Sequence, residues 1–347
     1  MFVSKKRFYS NLFIKLKYLV FINVYFMKLN YYAKKYNFKF LTNLEINKIK
    51  YKSLMIKLGN HSVLAIIALI GIGSATRVME AGLACPDWPL CYGSLLPASH
   101  FNLRVFLEWF HRLDAFLVGI LILTQFSLSL LWRKYLPSSL PKKYSFLLFL
   151  VILQGSLGAL TVINILDSFT VMGHLFIAFL LLITSIFINQ SLINNNLEPL
   201  FNWWKILLSI PLILTLFQSI IGVRLSSTWS AHLCLTFNQK CMILDSHKLF
   251  AIPLSISILT VIFISFFRDN LFINNWKYLI SILILLVTQI VLGVLSLKTN
   301  LSQPLIIISH ELIAALLIAT LTTLIFGFSY SNLENKSSKT DLLIGVN

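Results

Sequence analysis

The sequence predicts an all-α polytopic membrane protein with eight transmembrane helices, arranged as two parallel four-helix repeats. Three observations carry that expectation. The chain of 347 residues is 57% hydrophobic and 12% charged, with a mean hydropathy of +0.82, and a soluble domain of this size has nowhere to hide so much apolar surface. Eight apolar runs have spanning length. Four of the seven histidines fall at matched positions: His111 and His174 are 63 residues apart, His247 and His310 are 63 apart, and the second pair follows the first by 136.

In chain order, residues 1–60 are a basic N-terminal extension. It holds thirteen Lys/Arg against the single Glu45, which is twelve of the net charge of +17. Charge confined to one flank of the first span suits an anionic lipid surface, and no nucleic-acid partner is expected. The longest apolar run here, Tyr18 to Met27, is too short to span and is flanked by Lys15, Lys17 and Lys28. No small-residue cleavage site follows it, so a secretory signal is not indicated. The lack of acids before Glu45 leaves a mitochondrial presequence open, although Arg7 is its one arginine. A cytoplasmic extension lying on the membrane, or an upstream start ahead of a core beginning near Met55, are the other readings.

Apolar runs begin near His61, Leu113, Tyr144, Thr170, Trp203, Lys248, Trp276 and Pro304. They divide the chain into a first repeat (61–190), a cytoplasmic linker (191–202), a second repeat (203–328) and a cytoplasmic tail (329–347). Arg133, Lys134, Lys142 and Lys143, then Asn194-Asn195-Asn196, then Arg268 follow spans two, four and six. With the basic extension they put both termini on the cytoplasmic side.

On that topology His111, His174, His247 and His310 all fall at the outer ends of even-numbered spans. Each pair meets at one depth, and four spans per copy keep both copies in the same orientation. Two facing imidazoles suit axial ligation of a haem iron between helices. Zinc needs more ligands than recur at matching positions, and a proton relay does not require the same spacing twice. Val171-Met172-Gly173-His174 matches Ile307-Ile308-Ser309-His310, and Gln154…Gly158 matches Gln289…Gly293. Close helix approach explains the glycines, and interhelical hydrogen bonding explains the glutamines. His61, His100 and His232 have no repeat partner and read as interfacial.

The halves differ at one point. Glu108-Trp109-Phe110-His111-Arg112 crowds ionisable groups into one turn at the mouth of span two, where such groups are costly and mark function. An interfacial anchor, with Trp109 in the aromatic belt and Arg112 snorkelling, is the bland alternative. The second copy has Leu244 in place of the acid. Copy one therefore reads as the place of chemistry, where a carboxylate favours positive charge during oxidation of the ring or moves protons. Copy two reads as a bis-His electron-transfer cytochrome.

Cys85 with Cys91 and Cys234 with Cys241 lie in the two large outward loops. Four cysteines allow three connectivities, of which loop-local pairing is the simplest. Structural staples, a thiol with a catalytic or relay role, and a His232/Cys234/Cys241 metal site are the readings left open.

Ala75-Thr76-Arg77, Gly82-Leu-Ala-Cys-Pro-Asp-Trp-Pro-Leu-Cys91, Glu108-Trp-Phe-His-Arg112 and Gln218-Ser-Ile-Ile-Gly-Val-Arg224, with the second cysteine pair, His247 and His310, resemble the haem A synthase family. The resemblance covers about 61–328 and is closest to the bacterial type with paired cysteines. It implies oxidation of the C8 methyl of haem O to the formyl of haem A by successive hydroxylations, for cytochrome oxidase assembly. His111 and His174 would bracket the substrate haem, with Glu108 catalytic. His247 and His310 would hold a haem B cofactor, Arg77, Arg112 and Arg224 would support, and Cys85–Cys91 and Cys234–Cys241 would be disulfides. Haem O, membrane lipid, an external electron acceptor, haem O synthase and oxidase assembly factors are the implied partners, with room for a homo-oligomer. A bacterial inner (cytoplasmic) membrane is the implied location, the mitochondrial inner membrane the alternative. A dihaem b-type cytochrome drawing on quinol, or a parallel-repeat haem transporter, are the competing functions.

Overall fold

The computed structural model describes residues 39–194, 203–227, 241–267 and 269–327. His232, Cys234 and most of the basic extension lie outside the described residues. Among those described, eight helices are long and apolar enough to cross a membrane, and the chain is a multi-pass membrane protein. They are α1 (Lys39–Val78), α2 (Leu103–Leu131), α3 (Leu140–Ile163), α4 (Ser168–Ile193), α5 (Trp203–Ser227), α6 (Met242–Phe266), α7 (Asp269–Lys298) and α8 (Pro304–Gly327). Residues 39–54 with 134–137 form a small unit of their own, in which the rings of Tyr51 and Tyr135 lie 5.2 Å apart. The larger unit comprises residues 55–133 and 138 onward.

Helix α1 starts at Lys39, well before the apolar run at His61, and α2 also starts early. Its apolar run begins at Leu113, yet the helix begins at Leu103, where Asn102 caps it by accepting from the Val105 amide at 3.0 Å. The first turns of α2 are helical but charged, so hydropathy misses them. His111 consequently lies in the third turn rather than opening the span. His174, His247 and His310 sit within the first two turns of α4, α6 and α8. Asp167 caps α4 through the amides of Phe169 and Thr170. The helices run unbroken through Pro211 in α5 and Pro253 in α6.

In α4 and α8, 39% of the apolar window is buried, against 11% in α3, and this difference places those two helices inside. They pack on each other and both pack on α5, while α3 lies against α4, α5 against α6, and α7 against α8. The helix α3 turns Phe146, Phe149 and Ile152 outward, as lipid contact requires of a helix that is apolar all round. Polar pairs join α1 to its neighbours: buried Gln125 donates to buried Ser62 at 2.5 Å, and Asn189 donates to Asn60 at 2.6 Å. At Gly59 a Cβ would lie 2.6 Å from Asn189 Oδ1, so only glycine permits this approach.

Two of the turns between helices share one geometry. Between α3 and α4, Ile165 and Leu166 both have left-handed φ, and the Leu166 amide donates back to Thr161. Between α7 and α8, Asn300 and Leu301 do the same, with Leu301 donating to Ser296. Both helices thus end in a reversal that satisfies their last carbonyls within the chain.

Candidate functional site

Each of the four matched histidines rests against a glycine on the preceding odd-numbered helix. A Cβ at Gly73, Gly158, Gly222 or Gly293 would lie 2.9, 3.2, 3.1 or 3.1 Å from the Cε1 atom of His111, His174, His247 or His310 respectively. Glycine lets the Cε1 edge of an imidazole come close to the neighbouring helix, and a side chain there would push it off. The glycines read from sequence as helix-approach residues are therefore seats for the rings.

Three of the rings have a second partner. Gln154 Nε2 lies 3.2 Å from His174 Nε2, Gln218 Nε2 lies 3.2 Å from His247 Nδ1, and Gln289 Nε2 lies 3.2 Å from His310 Nε2. Each glutamine sits four residues before its glycine, one helical turn away on the same face. His310 Nδ1 also faces the Gln289 carbonyl at 3.1 Å. His111 has no such neighbour, and its Nδ1 is buried without a partner.

The His247 and His310 ring centres are 6.5 Å apart. Two metal–nitrogen bonds of about 2 Å, plus about 1 Å from each nitrogen to its ring centre, span about 6 Å. One iron atom therefore fits between these rings. His111 and His174 lie within electrostatic range of each other. Among the described residues no three His, Cys, Asp or Glu side chains gather as a ligand set, so a group needing two axial imidazoles is what the donors suit.

Glu108 is 3% exposed and both its oxygens are engaged: Oε1 with Arg112 at 2.5 Å, Oε2 with the Cys85 amide at 2.7 Å. Arg112 also donates to the carbonyls of Asp87 at 2.6 Å and Leu90 at 2.5 Å. Trp109 Nε1 donates to the Leu95 carbonyl at 2.6 Å. One turn of α2 thus pins down the loop that carries the Cys85–Cys91 disulfide. Asp87 closes that loop from within by accepting from the amides of Tyr92 and Gly93. Gly93 has φ +68, which suits glycine at that turn. Cys85, Cys91 and Val105 are buried together, with Ala84 and Trp109 packed on them. At the position matching Glu108, Leu244 is buried beside Leu225 and Cys241. Cys241 is not a free thiol.

Arg77 makes an ion pair with Glu311 on α8 and a hydrogen bond to Ser226 on α5. Its neighbours matter, because Gly73 seats His111 one turn away and Glu311 follows His310 directly. Arg224 is exposed and does not occupy a position like that of Arg77. His61 is exposed on the Lys57 carbonyl, and His100 stacks on Tyr92 at 4.0 Å. Sequence reasoning missed Gly73, Gly222, Ser226 and Glu311. The Gln-x-x-x-Gly spacing, present three times, was a readable signal for three of the four seats and for their glutamines.

A family model described as COX15-CtaA, cytochrome oxidase assembly protein, matches residues 58–322, which contain all four histidines and both cysteine pairs. The chain belongs to the COX15-CtaA family. A protein of Shewanella oneidensis named heme A synthase is 34% identical over 125 residues, covering 31% of this chain and 37% of that protein. Another of that name, from Bradyrhizobium diazoefficiens, is 33% identical over 125 residues, covering 28% and 34%. The matched stretches thus span little more than a third of those curated relatives. COX15-CtaA proteins generally bind haem, and the glycine-seated histidine pairs fit such a group.

Proposed function

We propose that the chain is a haem A synthase, oxidising the C8 methyl of haem O to the formyl of haem A by successive hydroxylations and passing the electrons to an external acceptor. The observation that carries the reading is the pairing of like histidine seats with unlike surroundings. His111 and His174 have Glu108 one turn from His111, whereas His247 and His310 have Leu244 there.

On this reading His111 and His174 would hold the substrate haem O by its iron. The Glu108 carboxylate, fixed by Arg112 and the Cys85 amide, is a preorganised negative group on the same helix face. Such a group costs no reorganisation when positive character develops on the substrate. His247 and His310 would hold a resident haem B, which supplies one-electron transfer. Arg77 and Glu311 join α1, which seats His111, to α8, which carries His310.

A duplication of a four-helix unit underlies the proposal. Its support is the repeated glycine–histidine seat and the matched left-handed turns, Ile165-Leu166 and Asn300-Leu301. Both termini on the cytoplasmic side of a bacterial inner membrane, with haem O synthase and oxidase assembly factors as partners, complete the reading.

Purified protein supplied with haem O tests it. Haem B retained together with conversion of haem O to haem A is the expected outcome, and haem B alone would sink the synthase reading. A dihaem b-type cytochrome has one specific observation in its favour: both oxygens of Glu108 are already partnered, as an anchoring residue's would be. The same pigment assay separates the two.

A further inference from the structure

Asp114 is half-buried in α2, three residues after His111, and makes no hydrogen bond or ion pair with any described residue. Ionisable side chains inside a span are costly and mark function. Its place on the helix faces α1. Asp114 and Gln125 are eleven residues apart, about three turns and so on one side of the helix, and Gln125 donates to Ser62 of α1. His111, one turn nearer the helix start, abuts Gly73 of α1. Asp114 therefore lies along the α1–α2 seam between these two contacts. Across the seam, residues 63–72 of α1 carry no polar side chain. Three places after the four histidines stand Asp114, Ile177, Phe250 and Ile313, so the acid occurs once. Phe250 meets Phe217 of α5 with ring centres 5.0 Å apart, so the matching position in the second half also faces the preceding helix. Phe217 stands five residues before its seat glycine, where α1 has Ala68. Two rings fill the second seam; at the matching positions the first has a methyl group and a carboxylate.

With water as the oxygen donor, each hydroxylation breaks a C–H bond, forms a C–O bond, sends two electrons to the external acceptor and releases two protons. In an apolar site those protons need an acceptor within reach. Glu108 is already committed, with Arg112 on one oxygen and the Cys85 amide on the other. Arg77 is engaged by Glu311. The helix α3, packed against α2, has its charged residues, Lys142 and Lys143, at the end away from His111. We propose that Asp114 accepts a proton released by substrate oxidation at the His111–His174 site, while Glu108 supplies fixed negative charge and does not exchange protons. This rests on the synthase reading above and divides the work of its two acids: one holds charge still, the other carries protons away.

The test uses the full-length protein in detergent. Asp114→Asn should bind protohaem at both sites as the unaltered chain does, yet convert haem O about a hundredfold more slowly, and Asp114→Glu should restore conversion. Infrared difference spectra of the protohaem-loaded protein, ferrous minus ferric, give a readout apart from turnover. An electron added between His111 and His174 draws a proton to a nearby carboxylate, so a carboxylic C=O band that moves in heavy water is expected. That band should be lost in Asp114→Asn, shifted in Asp114→Glu and kept in Glu108→Gln. Conversion at the unaltered rate by Asp114→Asn, a band that survives in it, or a band lost in Glu108→Gln overturns the proposal and leaves the synthase reading standing. If Asp114→Asn does not fold, a band unmoved in Asp114→Glu overturns it instead. Unaltered protein that retains haem B but leaves haem O unchanged overturns the synthase reading itself.

Discussion

Alanine at Gly73 places a methyl group 2.9 Å from His111 Cε1, where two carbon atoms need about 3.5–4.0 Å. The ring must retreat by roughly half an ångström to one ångström. Overpacking of that kind costs about 1–3 kcal/mol, and replacing glycine by alanine inside a helix returns about 1 kcal/mol. The net loss of stability is then small, about 0–2 kcal/mol. The loss of ligand geometry is large, since functional side chains need to be held within about 0.5 Å. Gly155→Ala is the matched control, because no heavy atom lies within 4 Å of a Cβ there. The assay is protohaem titration read by the low-spin ferric spectrum, with thermal unfolding in detergent alongside. Gly73→Ala should weaken the first site about tenfold or more and leave the second site's spectrum alone. Gly293→Ala, with its Cβ 3.1 Å from His310 Cε1, should do the reverse. If Gly73→Ala binds haem and melts like Gly155→Ala, the glycine does not set the position of the histidine, and the seat is an accident of packing.

Three further outcomes follow. Glu108→Gln keeps an acceptor for the Cys85 amide but removes the charge; haem A formation should fall about a hundredfold while haem B is retained, and near-normal formation by this variant would return the dihaem cytochrome to first place. His247→Met or His310→Met should alter the haem B spectrum, whereas His111→Met or His174→Met should leave it and abolish conversion; equal loss of haem B in all four variants contradicts the division between sites. Glu311→Ala leaves the Arg77 guanidinium without its carboxylate and should lower stability by about 3–5 kcal/mol, read as a reduced midpoint in detergent, with an unchanged midpoint showing that lipid or water replaces Glu311.

Much of this was legible in one dimension because the signals were periodic or repeated. Apolar runs marked all eight spans, and the 63-residue spacing marked the histidine pairs before any geometry was known. The start of α2 was not legible, since Leu103 to Arg112 is helical by capping and tertiary contact rather than by hydropathy. Nor was Arg77–Glu311 legible: the two residues are far apart in sequence, and no local pattern announces that α1 meets α8. Glu108 was singled out on chemistry, but its grip on the Cys85 amide depends on a fold of the intervening loop that spacing cannot supply. The glutamines were read as interhelical glue, which is true of their helices and incomplete, because the partners they reach are the ring nitrogens.

The pinning of the Cys85–Cys91 loop by α2 also has a consequence for biogenesis. Glu108 finds its amide, and Arg112 its two carbonyls, only in residues 85–90. Those residues leave the ribosome before α2 does, and on the outward topology proposed above they would cross the bilayer before α2 arrives. A helix entering the membrane with a charged turn unmet is penalised by up to about 3 kcal/mol per charged residue, less near its end. On that proposed topology the first hairpin of the chain would mature as a unit: loop delivered first, helix seated against it second. A defect in export of that loop would strand α2 at the translocon before any of the four histidine seats had been assembled.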